Sequence, residues 1–389
     1  MYKKMTKHVV LLLILSFSFF IFPVSTQAEE LSLAPNAVSA ILIDQDTGTI
    51  LFDKNSHKRL PPASITKVMT MLIIMEAIDS GKITYNDKVR ISENAASMGG
   101  SQIFLEVGEE MTVNDLLKGI AVASGNDASV ALAEYIAGTE EEFVKLMNKK
   151  VEQLGLKNTH FMNTNGLPVD NHYSSAYDIA IMSRELLKYE EITKYTSIYQ
   201  DYLRQDSGNP FWLVNTNRLV RFYEGVDGLK TGYTHEAKYC LSATAKKGDF
   251  RVIAVVLGEP SSKVRNKEVS QLLDFAFNQF KNELLYKKNE IVTEVEVSKG
   301  KTNALPLVTD GQVSLLLRKG EKVEDFEQIL KVKDRPQAPI QKGDQLGVLQ
   351  IVKQGHALQE IPLYASVDIE KANILEMLEK VMKSQLFIR

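Results

Sequence analysis

Apolar and polar positions change their spacing several times along the chain. Residues 9–22 are almost wholly apolar, with Lys3, Lys4 and Lys7 before them and Pro23 after. That run is too short for the ~20 residues of a membrane span. With the small residues Thr26 and Ala28 behind it, it predicts an export signal cleaved after Ala28. An uncleaved anchor is the other reading. Residues 37–52 then alternate, with Val38, Ala40 and Leu42 and then Ile50 and Phe52 flanking Asp46, Thr47 and Gly48. This predicts a hairpin. Helical spacing follows at 63–80, closed by Gly81. It returns in a segment opened by the capping pattern Thr112 to Asp115, and again at 128–137, at 140–154 and behind Ser175.

The period then shortens. Three strand-like runs at 229–234, 239–245 and 252–258 are separated by turn-like segments, and 265–280 is helical again. Helices therefore lie between an N-terminal hairpin and a later set of strands. The economical arrangement is one antiparallel sheet built from both ends, with helices packed on it. After about residue 283 the pattern is alternating. Ile291, Thr293, Val295 and Val297 share one face, and short apolar runs recur at 304–308, 313–317, 345–352 and 356–365, punctuated by glycines. This predicts a small all-β domain. From 368 onward Ile374, Leu375, Leu378, Val381, Met382 and Leu386 form one helical face. A membrane-surface helix and a helix docked on its own domain fit that face equally.

The predicted class is α+β. The predicted segments are a signal at 1–28, a first domain at 29–283, a β-rich domain at 284–366 and an amphipathic helix at 367–389. A length of 389 residues allows two or more domains. With 44% hydrophobic and 24% charged residues the composition is that of an ordinary globular protein. The net charge of −3 gives no bulk reason to expect nucleic acid. Cys240 is the one cysteine, so no intramolecular disulfide forms. It lies in a strand-like run and reads as a buried, inert thiol.

Three short motifs carry candidate chemistry. Ser64 and Lys67 stand three apart, behind Pro61 and Pro62 and ahead of an apolar helical run. Residues at that spacing share a helix face. A neutral Lys67 amine could take the Ser64 proton, which a serine needs to become a nucleophile. Alone, the pair is equally an N-cap serine and a surface lysine. Ser124, Gly125 and Asn126 form a tight bend between helices, which alone is an ordinary turn. Lys230, Thr231 and Gly232 open the first of the later strands. The three in order are far more specific than any one of them.

On these motifs the sequence resembles the low-molecular-mass penicillin-binding proteins that are serine D-alanyl-D-alanine carboxypeptidases. The likeness covers nearly everything after the signal. Residues 63–70, 95–103 and 225–234 look like the sporulation-associated members. The resemblance implies a β-lactamase/transpeptidase-like catalytic domain and removal of the terminal D-alanine from peptidoglycan pentapeptides through an acyl-Ser64 intermediate. It implies that Lys67 is the base, kept partly neutral by burial and a nearby Lys230. Ser124 would relay a proton, and Asn126 would hold Lys67 and the substrate amide. The backbone N–H groups of Ser64 and Tyr233 would form the oxyanion hole. The strand from Lys230 through Thr234 would pair with the peptide. Thr231 and Arg265 would bind its terminal carboxylate.

The partners implied are the pentapeptide, β-lactams and a membrane surface under the last helix, outside the cytoplasm. No nucleic acid, cofactor or metal is expected. Two departures stand out. Tyr233 occupies a position where relatives often have His, and Ala237-Lys238 stands where they often have Ala-Gly. Two other readings compete. A β-lactamase needs a deacylating glutamate, which has no recognisable place here. A non-catalytic wall-binding module would not need the three motifs intact.

Overall fold

The computed structural model describes residues 33–205 and 208–385. The signal assigned to 1–28, and Leu386 of the last apolar face, lie outside the described residues. Strands β1 (Ser39–Asp44) and β2 (Ile50–Lys54) form the expected hairpin. They join β3 (Val226–Thr234), β4 (Lys238–Lys247) and β5 (Phe250–Glu259) in one antiparallel sheet of order β2-β1-β5-β4-β3. The sheet is thus built from both ends of the domain. The later strands are longer than the apolar runs alone predict, because their ends carry polar residues such as Lys246, Lys247 and Arg251 that pair across turns at the surface.

All six residues of β1 are buried, so both faces of the sheet are covered. Strand alternation divides them. Ile41, Ile43, Ile253 and Val255 join the core of α1 (Lys67–Asp79), α2 (Asn126–Ala137), α3 (Glu140–Gln153) and α4 (Ala176–Leu186). Helix α5 (Ser262–Gln279) also packs on β4 and β5, and buries Val269, Leu272 and Leu273. Helix α1 is apolar nearly all round because it runs through the middle of this core. Its residues Val68 to Met75 are all buried.

Helix α5 runs directly into β6 (Phe280–Tyr286). A second domain follows with β7 (Ile291–Glu296), β8 (Ala304–Val308), β9 (Val313–Arg318), β10 (Glu327–Val332), β11 (Gln345–Lys353) and β12 (His356–Ala365). Five of these strands form an antiparallel sheet of order β7-β8-β12-β11-β10, and β6 pairs with β9. The sheets close over Val295, Leu305, Leu307, Leu315, Leu349 and Leu363. Helix α6 (Ile374–Gln385) ends the described chain, with Ile374, Leu375, Leu378, Val381 and Met382 exposed. No helix among the described residues is long and apolar enough to cross a membrane.

Candidate active site

Ser64 does not cap a helix. It lies inside a 3-10 turn, Ala63–Thr66, whose preceding residue is Pro62 and which passes directly into α1. The N-cap reading of Ser64 therefore falls away. Ala63 is held at φ +48°, in a left-handed conformation rare for alanine. Two glycines explain how that turn is held. A Cβ on Gly166, which has φ +89°, would lie 1.8 Å from the Ala63 carbonyl oxygen. A Cβ on Gly232 would lie 2.8 Å from the Pro62 carbonyl oxygen. Only glycine lets a loop and the β3 strand press on the serine turn from two directions.

Lys67 is fully buried at the start of α1. Its Nζ lies 3.1 Å from Ser64 Oγ, 2.6 Å from Asn126 Oδ1 and 2.8 Å from the Asn165 carbonyl oxygen. The last two are oxygens that can only accept. A neutral amine has two N–H groups and one lone pair. The two carbonyls take both N–H groups, which leaves the lone pair facing Ser64. Burial, and then the charge of Lys230, hold the Lys67 amine well below its ordinary value.

The bend that leads into α2 is strained where it meets the site. Gly119–Ala123 is wound as a π-turn, and Ser124 follows at φ 65° and ψ 32°, almost fully buried. Wide turns of this kind recur at functional sites. Asn126 begins α2. Its Oδ1 faces Lys67, and its Nδ2 donates to the Gly99 carbonyl at 2.7 Å. One amide hydrogen therefore remains for another acceptor. Asp127 takes the backbone N–H groups of Ile103 and Leu105, at 2.9 and 3.2 Å, and so fastens the 99–105 loop beside the bend.

Lys230 is buried on β3 and donates to the Thr231 carbonyl at 3.0 Å. Burial, then the charge of Arg265, lowers its amine to about 7. Thr231 Oγ1 donates to Thr216 Oγ1 at 2.7 Å. Tyr233 is half exposed and stacks on Tyr239, with ring centroids 4.4 Å apart. Arg265, in the first turn of α5, is buried. Its guanidinium donates to Asn266 Oδ1 at 3.1 and 2.8 Å and to the Cys240 carbonyl at 3.5 Å. Burial pushes it down to about 10. Cys240 is buried and its thiol is pushed up to about 11, as an inert thiol should be.

The structure thus brings Ser64, Lys67 and Asn126 into direct contact, with Lys230 close enough to depress Lys67, and Arg265 close enough to depress Lys230. Sequence reasoning missed Asn165, whose carbonyl holds the amine. Its only signal is the Asn-Gly pair it makes with Gly166. The 160–174 loop that carries it is tied once to α1 and once to the serine turn. Thr70 Oγ1 donates to the Thr164 carbonyl at 2.6 Å, and His172 Nε2 meets Thr66 Oγ1 at 2.8 Å. A cavity lined by Pro62, Ala63, Gly166, Asp170, Thr234 and Glu236 opens beside the serine turn. No group of three or more candidate metal ligands occurs among the described residues.

Residues 25–261 match the D-alanyl-D-alanine carboxypeptidase family, and residues 280–371 match the C-terminal domain of penicillin-binding protein 5. The chain is 59% identical over 350 residues to D-alanyl-D-alanine carboxypeptidase DacF of Bacillus subtilis, covering 90% of each. It is 34% identical to DacA of Escherichia coli, covering 87% of this chain and 85% of that one. The structure is similar to that of penicillin-binding protein 5 from Haemophilus influenzae, with a TM-score of 0.73 and 34% identity over 86% of this chain and 98% of that one. It is also similar to penicillin-binding protein D2 from Listeria monocytogenes in its ampicillin-bound form. There the TM-score is 0.57 at 30% identity, over 64% of this chain and 99% of that one.

Proposed function

The chain belongs to the D-alanyl-D-alanine carboxypeptidase family and is a penicillin-binding serine hydrolase of peptidoglycan peptides, and from that premise we propose how its own atoms divide the work. Ser64 Oγ attacks the carbonyl of the penultimate D-alanine. The Lys67 lone pair takes its proton, and the backbone N–H groups of Ser64 and Tyr233 receive the developing oxyanion. Ser124 passes a proton to the nitrogen of the departing D-alanine. Water then releases the acyl group from Ser64. The peptide lies along β3 from Lys230 through Gly232, and the free hydrogen of Asn126 Nδ2 donates to its amide. Thr231 and Arg265 take the terminal carboxylate. β-Lactams acylate the same serine and leave slowly.

One observation carries this reading. Lys67 is fully buried, its two amine hydrogens are spoken for by carbonyls, and its remaining direction faces Ser64. A β-lactamase would want a carboxylate in the loop that faces Ser64. Glu140, which reaches that loop, instead accepts both the backbone N–H and the hydroxyl of Thr164, at 3.0 and 2.8 Å.

Two experiments test the assignment. Mass spectrometry of penicillin-labelled, digested protein should find the adduct on Ser64; a label on Ser124 would overturn it. Arg265→Ala should lower kcat/KM for a D-Ala-D-Ala peptide about 10–200-fold, the loss of one charge-assisted hydrogen bond of about 1.5–3 kcal/mol. It should change the C-terminally amidated peptide little. Equal losses on both would mean that Arg265 only braces its helix.

The same reading extends to the ends of the chain. Residues 1–28 direct export, and catalysis takes place outside the cytoplasm. The exposed face of α6 lies on the membrane surface. Ile374→Asp with Leu378→Asp should release the protein from anionic lipid vesicles while leaving hydrolysis of a soluble peptide unchanged. Retained vesicle binding would remove the membrane role from α6.

A further inference from the structure

Glu259, the last residue of β5, is fully buried opposite Tyr239 of β4. Neither of its carboxyl oxygens has a hydrogen-bond donor among the described residues. A bare carboxylate left in that position would be costly. Its neighbour is another carboxyl group, Glu268 of α5. Glu268 accepts from the backbone N–H groups of Asn36 and Ala37, at 3.2 and 3.3 Å, and from the Asn36 side chain. Those donors suit the charged form of Glu268. Two carboxylates cannot donate to each other, so the arrangement favours one proton on the pair, and Glu259, which has no other donor, is the member placed to carry it. Burial, then Glu268, pushes the Glu259 carboxyl up to about 8.

The charged and titratable groups around Glu259 are few. They are Glu268 and Arg265 from α5, Lys54 from β2, and Tyr239 and Cys240 from β4. Lys54 is engaged by the Ala34 and Pro35 carbonyls, both at 2.8 Å. Arg265 is different. Its guanidinium meets only neutral acceptors, Asn266 Oδ1 and the Cys240 carbonyl, and it forms no ion pair among the described residues. A buried guanidinium normally has a counter-ion. Glu259 is the carboxyl group whose charge reaches Arg265, and the two form no ion pair among the described residues.

We propose that Glu259 is a positioning residue whose proton, held in place by Glu268, keeps Arg265 unpaired and free for the terminal carboxylate of the substrate. The inference rests on the carboxylate-binding reading of Arg265. When Glu259 releases its proton to solvent it becomes an anion beside Arg265 and competes with the substrate carboxylate. Recognition of that carboxylate then weakens as pH rises through the Glu259 titration, and chemistry on Ser64 does not.

The readout is the ratio of kcat/KM for a D-Ala-D-Ala peptide to that for its C-terminal amide, from about pH 6 to 9. Titration of Lys67, which serves Ser64 with either substrate, cancels in the ratio, and any slope that Lys230 adds beside Arg265 is common to the native protein and Glu259→Gln. In the native protein the ratio should hold steady to about pH 7. It should then fall toward the value that Arg265→Ala shows at every pH, a drop of about 10–200-fold at its limit. Glu259→Gln keeps the volume but cannot ionise, so its ratio should stay well above the native one as pH rises from about 7 to 9. A flat ratio in the native protein overturns the proposal without any variant. So does a Glu259→Gln ratio that falls as far as the native one, or one in which both substrates merely lose rate together. If Arg265→Ala leaves the ratio unchanged, the carboxylate reading of Arg265 fails and takes the proposal with it. A lowered Arg265→Ala ratio beside an unaltered pH profile in Glu259→Gln overturns the proposal alone.

Discussion

The two domains treat charge in opposite ways. In the catalytic region Lys67, Lys230, Arg265 and Glu259 are all buried, and burial is the leading cause of each shifted titration. In the C-terminal domain the shifted groups are Lys301, Glu321 and Glu370, at the surface, in the pairs Lys301–Glu370 and Lys353–Glu321. Ion pairs like the exposed Lys301–Glu370 contribute little to stability, and Lys353–Glu321 is only half-buried. Desolvating a lysine is costly and is tolerated only where a neutral amine is of use. The expensive groups are therefore concentrated around Ser64, and the second domain holds itself together by apolar contact between its sheets.

The largest test of that contrast is at Lys67. Lys67→Arg keeps the charge but supplies no neutral nitrogen near neutral pH. Acylation by penicillin and peptide hydrolysis should fall by at least the 10²–10⁴-fold typical of a general base, roughly. The circular dichroism spectrum should be retained. Unchanged acylation would mean that another group takes the Ser64 proton, and the buried lysine would then need another explanation.

A second test compares glycines. Gly166→Ala would drive a methyl group onto the Ala63 carbonyl and displace Ser64. It should lower stability by several kcal/mol, more than the ~1–3 kcal/mol of an ordinary strained backbone position, and cut acylation with it. Gly343 and Gly355 in the C-terminal domain also have positive φ, at +92° and +79°, but face open space. Alanine there should cost only the conformational term, about 1 kcal/mol, and leave acylation rates alone. Melting temperatures and penicillin acylation rates of the three variants decide it. Equal losses at all three would show that the close approach at Gly166 is not what shapes the serine turn.

What could be read in the sequence follows the same division. Ser64, Lys67, Asn126 and Lys230, which the structure gathers, could be picked out because they are side chains in motifs of fixed spacing. The Asn165 carbonyl was not, because a backbone oxygen leaves no mark in a sequence. Glu259 was hidden as well, since one glutamate before Pro260 reads as a turn. The sheet built from both chain ends was legible from the order of periods. Strand β6 was missed because Phe280, Leu284 and Leu285 continue the helical spacing of α5. Only pairing with β9 makes that segment a strand. Strand β10 was missed for a different reason. All six of its residues are exposed at the sheet edge, so no buried face imposes alternation, and Glu327 and Lys331 read as loop.

The smallest effect expected concerns acid. His172 is buried in the loop that carries Asn165, and burial, then His160, pushes its imidazole down to about 4. Its Nδ1 accepts from the Met162 N–H at 3.1 Å, so the proton sits on Nε2 and donates to Thr66 Oγ1. A second proton would break the Met162 contact. The unfolded chain, with an ordinary value of about 6.5, binds that proton and the folded chain does not. Stability is therefore complete above about pH 6.5 and is lost as pH falls toward 4, by up to ~3 kcal/mol. The lowered carboxylates of the C-terminal pairs, Glu321 and Glu370, lose their contribution only below their ordinary value near 4.5. Over the same range Glu259, pushed up to about 8, takes up a proton on folding and works in the opposite direction. The His172 contribution is therefore read as a difference between two proteins. His172→Gln keeps the donor to Thr66 without a titrating ring, so in urea unfolding followed by acylation competence its midpoint should gain on that of the native protein as pH falls from about 6.5 to 4.5. Midpoints that move in parallel would mean that His172 binds its proton as readily folded as unfolded, and the loop behind Lys67 would then be open to water.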